Sequence, residues 1–494
     1  MITLFETKKI AFIIAFAAHA VFTVLMDPDY YLHLMAGKYI FGHLSLPNVD
    51  VFSYTMAGQP WHLHEWLFEV LIYCIYILSG ETGVVVWTSG LGVLAFYIAF
   101  NAGIPKNKEN YRAILFALLL FVFYQVFIKP RPQIITFLCY AIFLFVIFDY
   151  KYRNTLRFSA VLPPLMVVWA NAHGAYILGI VFLWLFIACE YLSRWMRNGN
   201  NGSDKKLYRL TIIAAITLLA SAINPYFIKH WMFPFTLMNS QAMSFIVEWH
   251  SPNFSDSFER AYLLFVALFT VHYIYVKKRP DLTELLLPGS LIILSIFAAR
   301  HIPLAILTML PFALATSGRG YEFKTILPAS IENLCTDRLS RSHDIGKKEY
   351  IINGALLLVV VLSLISIFPM LREEKLKKRN SYLPVKAVDF ILENKINGRL
   401  FNTYHYGGYL IYRLHPQQRV FIDIRADMYG DDFMRDYISI YFGQDGWERK
   451  FDQYNIDYVI CENNAAIRNL LLDRGDFSLA YSDASHSVLL RKLH

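Results

Sequence analysis

Apolar runs of about the length that crosses a bilayer, roughly 17–25 residues, recur along this chain with short polar turns between them. Candidate spans cover residues 10–26, 83–101, 112–128, 134–149, 158–172, 175–192, 209–223, 260–276, 284–299, 301–317 and 351–370. Several are short and need tilt or a buried position. A further apolar helix, 65–79, fits either a span or a segment lying on the membrane. Lys8 and Lys9 before the first run loosely fit a cleavable leader, but the many spans that follow favour a retained signal-anchor.

After "REEKLKKRN" (372–380) the pattern becomes that of a soluble protein. "PVKAVDFILENK" and "AAIRNLLLDR" read as helices, and "RLFNTY", "RVFIDIR", "IDYVICEN" and "SVLLRK" as strands. The fold class expected is an all-α polytopic membrane domain over 1–371, with a C-terminal soluble α/β domain over 372–494. The membrane part has about 11 transmembrane helices. Juxtamembrane helices lie in a first outer loop, 27–82, and a second outer loop covers 224–259.

Composition agrees. The chain has 494 residues, 56% hydrophobic and only 17% charged, with mean hydropathy +0.39, outside the soluble range. The net charge of +8 comes without a basic patch for nucleic acid, and excess Lys and Arg in membrane proteins marks cytoplasmic loops. The five cysteines (Cys74, Cys139, Cys189, Cys335 and Cys461) form no CxxC pair, so neither a disulfide framework nor a structural zinc site is supported. No GxGxxG or P-loop is present in the C-terminal part, so no nucleotide site is implied.

Charge then fixes orientation. Basic clusters fall at Lys8/Lys9, Lys106/Lys108/Arg112, Lys151/Arg153/Arg157, Arg194 to Arg209, Lys277/Lys278/Arg279 and across 319–348. All land inside only if 65–79 lies along or dips into the outer face. The N-terminus is then cytoplasmic and the C-terminal domain outside. "REEKLKKRN" is a local exception. The turns "KPRPQ" (129–133), "NAHG" (171–174), "NPY" (224–226), "EWHSPNF" (248–254) and "ARHIP" (299–303) share the outer face with loop 27–82.

That face carries the candidate chemistry. In "MDPDYYLHLMAGKY" (26–39), Asp27 and Asp29 close the first apolar run. A DPD stop is an ordinary turn signal. At the edge of low dielectric, however, such carboxylates can be tuned as a general base or can hold a divalent cation. The residues that follow, with Tyr30, His33, Leu34, Gly37 and Ile40 at helical spacing, predict an amphipathic helix lying on the membrane. In "GQPWHLHEWLFE" (58–69), His62, His64 and Glu65 lie close together and Glu69 lies one turn beyond Glu65. The pattern is not HExxH, and Trp61 and Trp66 read as interface anchors. Arg131, His173, Arg300 and His301 sit at outward helix ends. Snorkelling suffices for an isolated Arg, whereas Arg131 is fixed between two prolines, and converging Arg and His suit a phosphate. Glu248 and Trp249 lie in a loop able to cover such a site. Asp423, Arg425 and Asp427 alternate at a strand end, where either a docking salt bridge or a sugar contact fits.

The arrangement of a first inner-to-outer helix, an acid at its outer end, and a long loop with surface helices resembles the GT-C superfamily of membrane glycosyltransferases, such as the aminoarabinose transferases and protein O-mannosyltransferases. The resemblance lies in residues 10–103, in "DPDYYLHLMAGKYIFGHL" and "AGQPWHLHEWLFEVL". The motifs "KPRPQ", "WANAHG", "NPY" and "GGYLIYRLHPQQRVFIDIRADMYG" are similar to a bacterial branch of membrane proteins grouped with GT-C. The likeness implies a glycosyltransferase, inverting in type, that takes a sugar from a polyprenyl-phosphate donor. The acceptor is an envelope glycan, lipid or protein at the outer face of the bacterial inner membrane. Asp27 and Asp29 take the place of the catalytic acid. His33, His64, Glu65, Arg131, His173, Glu248, Arg300, His301, Arg425 and Asp427 are the candidates for substrate contacts. A divalent cation, Mg or Mn, would fall to Asp27, Asp29, His64 and Glu65. The chain departs from the pattern in having no adjacent acid pair and "HEW" in place of Lys-Pro-Pro, so substrate and metal requirement do not carry over. The competing readings are a flippase for polyprenyl-linked glycans, which needs polar or broken helices near mid-bilayer, and a non-catalytic envelope-assembly protein.

Overall fold

The computed structural model describes residues 7–23, 25, 27–104, 111–198, 204–240, 246–317, 319 and 347–492. Lys106, Lys108, Cys335 and most of the 319–348 basic cluster lie outside the described residues. The chain is mostly helical, and its only described sheet lies near the C-terminus. The helices of the apolar part are α1 (Thr7–Phe22), α2 (Pro28–His43), α3 (Trp66–Gly103), α4 (Tyr111–Tyr124), α5 (Gln133–Arg153) and α6 (Leu162–Ala172). They continue with α7 (Tyr176–Asn198), α8 (Lys205–Ala220), α9 (Lys229–Asn239), α10 (Ser257–Tyr275), α11 (Leu282–Phe297) and α12 (Ile302–Ser317). Four described stretches are long and apolar enough to cross a membrane: Trp66–Gly103, Gln133–Arg153, Tyr176–Met196 and Ala299–Ser317. Shorter apolar helices, including Ser159–Ala172 and Leu282–Phe297, pack among them.

The centre of the bundle is α3, against which α1, α2, α5 and α12 pack. Its two limbs meet at Gly80, whose φ of 63° and ψ of −164° no side-chain-bearing residue adopts readily. The helix therefore changes direction between 65–79 and 83–101, the two segments that the hydropathy pattern separates.

The helix expected to lie amphipathically on the membrane is instead α2, enclosed nearly all round. Tyr30 through Gly37 are all buried. The cause is tertiary. One side packs on α3, and the other is covered by α15 (Gly407–Leu414) from the far end of the chain. Gly408 permits that contact, because a Cβ there would lie 2.4 Å from the Pro28 carbonyl oxygen.

The chain then runs along α13 (Lys347–Tyr382), which passes unbroken through the composition change at 372, into α14 (Val385–Glu393). Strands β1 (Leu400–Asn402), β2 (Tyr458–Glu462), β3 (Phe477–Ser482) and β4 (His486–Arg491) form one sheet in the order β1-β2-β4-β3. The β1–β2 pair is parallel and the other two pairs are antiparallel. Helices α16 (Ala426–Phe442), α17 (Trp447–Gln453) and α18 (Ala466–Arg474) complete this part. They share a core with the sheet that includes Phe401, Tyr437, Phe451 and Val459.

The expected strand "RVFIDIR" is not one: only Val420 makes a bridge, to Ser53. The Asn402 side chain does the work of a neighbouring strand there. It accepts from the Phe421 N–H at 2.9 Å and donates to the Ile422 carbonyl at 2.9 Å. The buried backbone is thus satisfied without a ladder. β3, by contrast, is a strand that hydropathy did not reveal, because its exposure pattern is irregular.

Two poles result. At one, Lys151 bridges Glu190 and Asp281, both at 2.8 Å, while Arg194 pairs with Asp204 and Arg319 with Glu284. Basic residues of four clusters, Lys151, Arg194, Lys278 and Arg319, thus gather at one end of the bundle, whereas Arg379 of "REEKLKKRN" pairs elsewhere, with Glu81. The turns with unusual polar residues gather at the other end, around α2.

Candidate active site

Asp27 is the N-cap of α2 and accepts from the Asp29 N–H at 3.1 Å, with Pro28 opening the helix. Facing it, Arg131 sits in the turn before α5, held between Pro130 and Pro132. Its guanidinium grips Asp27 with two nitrogens: Nε on Oδ2, and Nη2 on Oδ1 at 2.8 Å. Nη1 lies 2.8 Å from Asp29 Oδ2 and donates to Glu248 Oε1 at 3.0 Å. One cation therefore serves three carboxylates, and it serves them unequally. Burial works against ionisation of Asp27, but the charge and paired hydrogen bonds of Arg131 outweigh it and hold that carboxyl below the usual range. For Asp29 burial wins: Arg131 offsets it only in part, Asp27 and Glu248 add to it, and the carboxyl is pushed up to about 7.

Beside this cluster, Glu65 at the N-terminus of α3 stands among three imidazoles. His33 Nδ1 is 3.8 Å from Glu65 Oε2, and His64 Nε2 and His173 Nε2 are 3.6 and 3.7 Å from Oε1. Trp169 donates to Thr136 Oγ1 at 2.7 Å, and the same hydroxyl lies 2.7 Å from His173 Nδ1. That contact leaves His173 Nε2 facing Glu65. Burial keeps His33 and His64 neutral, both lowered to about 3. Burial, reinforced by the charge of Asp427, raises Glu65 to about 8. The charge of Asp29 adds to that effect, and those of Arg300 and Arg131 oppose it.

One turn on, Glu69 lies 3.3 Å from His33 Nδ1. Ligand atoms of His33, Glu65 and Glu69 all fall within 4.8 Å of one another. The donor set of one neutral imidazole and two carboxylates fits a divalent cation. Glu69 Oε2 supports the fit, being buried with no hydrogen-bond partner among the described residues. Of the residues considered for a cation from the sequence, only Glu65 belongs to this group, because Asp27 and Asp29 are turned to Arg131.

Arg300 follows α11 and stacks on Trp249, with its guanidinium carbon 4.2 Å from the ring centroid. No carboxylate pairs with it among the described residues. His301 beside it likewise has no side-chain hydrogen bond or ion pair among them. Arg425 is different. It is buried, pairs with Asp423 through Nε at 2.8 Å and Nη2 at 2.6 Å, and reaches Asp50 at 2.7 Å. It therefore clamps the C-terminal part to loop 27–82. Trp61, expected at the membrane interface, lies buried under this guanidinium at 4.4 Å. Trp66 also faces inward, donating to Asn171 Oδ1 at 2.9 Å. Asp427, in the first turn of α16, bonds to no other side chain among the described residues, and its charge acts on Glu65.

Sequence reasoning passed over Glu69, Thr136 and Asn171 as site residues. For Glu69 a signal existed, since the Glu65–Glu69 spacing places both carboxylates on one helix face. For Thr136 none did, because a threonine inside an apolar helix is ordinarily bonded to its own backbone.

No family model matches the sequence, and no curated protein matches it. Among solved structures, the archaeal oligosaccharyltransferase AglB from Archaeoglobus fulgidus, in complex with an inhibitory peptide and a dolichol-phosphate, superposes with TM-score 0.54 at 12% identity. That match covers 92% of this chain and 69% of the other. An Archaeoglobus fulgidus oligosaccharyltransferase tethered to an acceptor peptide gives 0.53 at 14% identity, over 93% and 70%. ArnT from Cupriavidus metallidurans, bound to undecaprenyl phosphate, gives 0.48 at 13%, over 97% and 96%. The AglB matches show that this chain shares the fold of the archaeal oligosaccharyltransferase.

Proposed function

We propose that the chain is a membrane glycosyltransferase that moves a sugar from a polyprenyl-phosphate donor to an envelope glycan, lipid or protein. The observation that carries this reading is the unequal sharing of Arg131 between Asp27 and Asp29. Asp27 is locked by two hydrogen bonds and serves as the fixed counter-ion. Asp29, with one contact and a carboxyl near neutrality, is the general base. In the reaction the acceptor hydroxyl oxygen attacks the anomeric carbon and its proton passes to Asp29. The bond from that carbon to the donor phosphate breaks, and its electron pair leaves on the phosphate. Direct displacement of this kind inverts the anomeric centre.

Arg300 is the cation best placed for the leaving phosphate, since it stacks on Trp249 and is bound to no described carboxylate. His33, Glu65 and Glu69 would hold a divalent cation, which when bound supplies further positive charge for that phosphate. His173 and His64 fix the Glu65 carboxylate. The AglB structure with dolichol-phosphate supports a lipid-phosphate donor, and the gathering of polar groups at one pole favours an enzyme over a flippase. We place about eleven crossings in the membrane, a boundary near 371, the N-terminus in the cytoplasm and the site pole outside.

The test is an Asp29→Asn variant in cells otherwise lacking the protein. Mass comparison of surface glycans, lipids and proteins should show a modification that the wild-type chain restores and the variant does not, at equal membrane abundance. Full restoration by the variant would defeat the assignment.

A further inference from the structure

A second polar concavity lies where the end of α13 meets the C-terminal sheet. It encloses about 380 Å³, within the roughly 300–1,000 Å³ typical of small-molecule sites. Its walls include Tyr382, His405, Glu462, Asn464, Ser485 and His486.

The chemistry of these walls is specific. Glu462 Oε2 accepts from the hydroxyls of Thr403 at 2.8 Å and Tyr441 at 2.9 Å, while His405 Nε2 stands 3.1 Å from Oε1. Burial opposes ionisation, but His405 and the Thr403 hydroxyl outweigh it and hold the carboxyl down to about 2. One wall is therefore a carboxylate held against His405, and the lining contains no Lys or Arg. Phosphate and acidic sugars find no guanidinium or ammonium to pair with there. His486 is buried, and its Nδ1 has no hydrogen-bond partner among the described residues. Its nearest acidic oxygen, on Asp483, is 3.5 Å away. Tyr382 is 47% exposed as a residue, with His405 roughly parallel to its ring at 6.1 Å between centroids. Its hydroxyl, the Asn464 amide and the Ser485 hydroxyl have no partners among the described residues.

A flat, half-exposed tyrosine face, unpaired amide and hydroxyl groups and one carboxylate are the complement of a neutral pyranose. The C–H face of the sugar packs on the ring, and its hydroxyls bridge acceptor and donor groups. The place matters too. His405 and Tyr406 of the lining belong to the turn Tyr404–Tyr406, which packs on α2, the helix that Asp27 caps.

We propose that this cleft is a subsite for a neutral pyranose ring of the substrates. The assignment rests on the transferase reading for its role, but not for the binding itself. The ring belongs either to the acceptor glycan or to the lipid-linked donor.

The test uses the full chain in detergent and saturation-transfer NMR with methyl glycosides of glucose, galactose, mannose, N-acetylglucosamine and glucuronic acid. At least one neutral glycoside should receive saturation and the glucuronide should not. Tyr382→Ala and Asn464→Ala should each weaken binding by about tenfold, or about 1.4 kcal/mol, with thermal unfolding unchanged, and Tyr382→Phe should retain it. No transfer to any neutral glycoside, equal binding of the glucuronide, or unaltered binding in Tyr382→Ala would overturn the proposal. Titration with undecaprenyl-phosphate mannose separates the sources. A loss in Tyr382→Ala assigns the ring to the donor, and an unchanged titration alongside lost glycoside binding assigns it to the acceptor. Asp29→Asn should leave glycoside binding intact. If that variant also restored the glycan profile, the transferase reading would fall while the subsite stood.

Discussion

The two poles of the bundle use similar residues to opposite effect. At the Lys151 pole acids and bases are nearly matched, three bases to four acids: Lys151 with Glu190 and Asp281, Arg194 with Asp204, Arg319 with Glu284. At the Arg131 pole they are not. Asp27, Asp29 and Glu248 share one guanidinium, Glu65 and Glu69 face neutral histidines, and Arg300 has no described acid. Charge that is buried and balanced holds structure together. Charge that is buried and unbalanced costs stability and is kept where chemistry needs a displaced pKa.

The largest expected contrast is in stability. Arg131→Met strands three carboxylates in a poorly solvated site and should cost about 3–5 kcal/mol, read as a lowered midpoint of thermal unfolding in detergent. Equal losses for Arg131→Met and Arg194→Met would erase the distinction between the poles. Next comes pH. The base must be ionised, and Asp29 ionises near 7, so transfer should fall by about tenfold per unit as pH drops below that value and level off above it. A rate unchanged between pH 5 and 8 would exclude Asp29 as the base. Third, isothermal titration with Mn²⁺ should show one site that Glu69→Gln weakens by about 10–100-fold and that Glu190→Gln leaves alone. Loss in the second variant instead would put the cation at the wrong pole. The smallest effect belongs to Arg194→Met itself, about 0–1 kcal/mol, because that side chain is partly exposed to solvent.

Much of this contrast is visible in the chain before folding. The basic clusters and the unusual turns already divide by side, and Asp27, Asp29, Arg131, Glu65 and Arg300 stand out because charge at an apolar helix end needs a reason. The helical assignments of 385–393 and 466–474, and the strands at 400 and 458, follow from local periodicity. What local pattern missed depends on distant partners. "RVFIDIR" alternates like a strand, but Asn402 takes its hydrogen bonds. Trp61 looks like an interface anchor, but Arg425 lies over it.

The sequence by itself determined that the chain carries helices apolar enough to cross a membrane, with unusual polar residues at their ends, because hydropathy and charge act residue by residue. Only the tertiary structure decided which acid takes two hydrogen bonds from Arg131 and which has a single contact with it. The reason is that positions 27, 131 and 248 meet only when α2, α5 and the loop before α10 close on one another. The same closure brings α15 over α2 and sets the end of α13 beside His405. A buried helix and a sugar-sized cleft result, neither of which any local stretch of residues could specify.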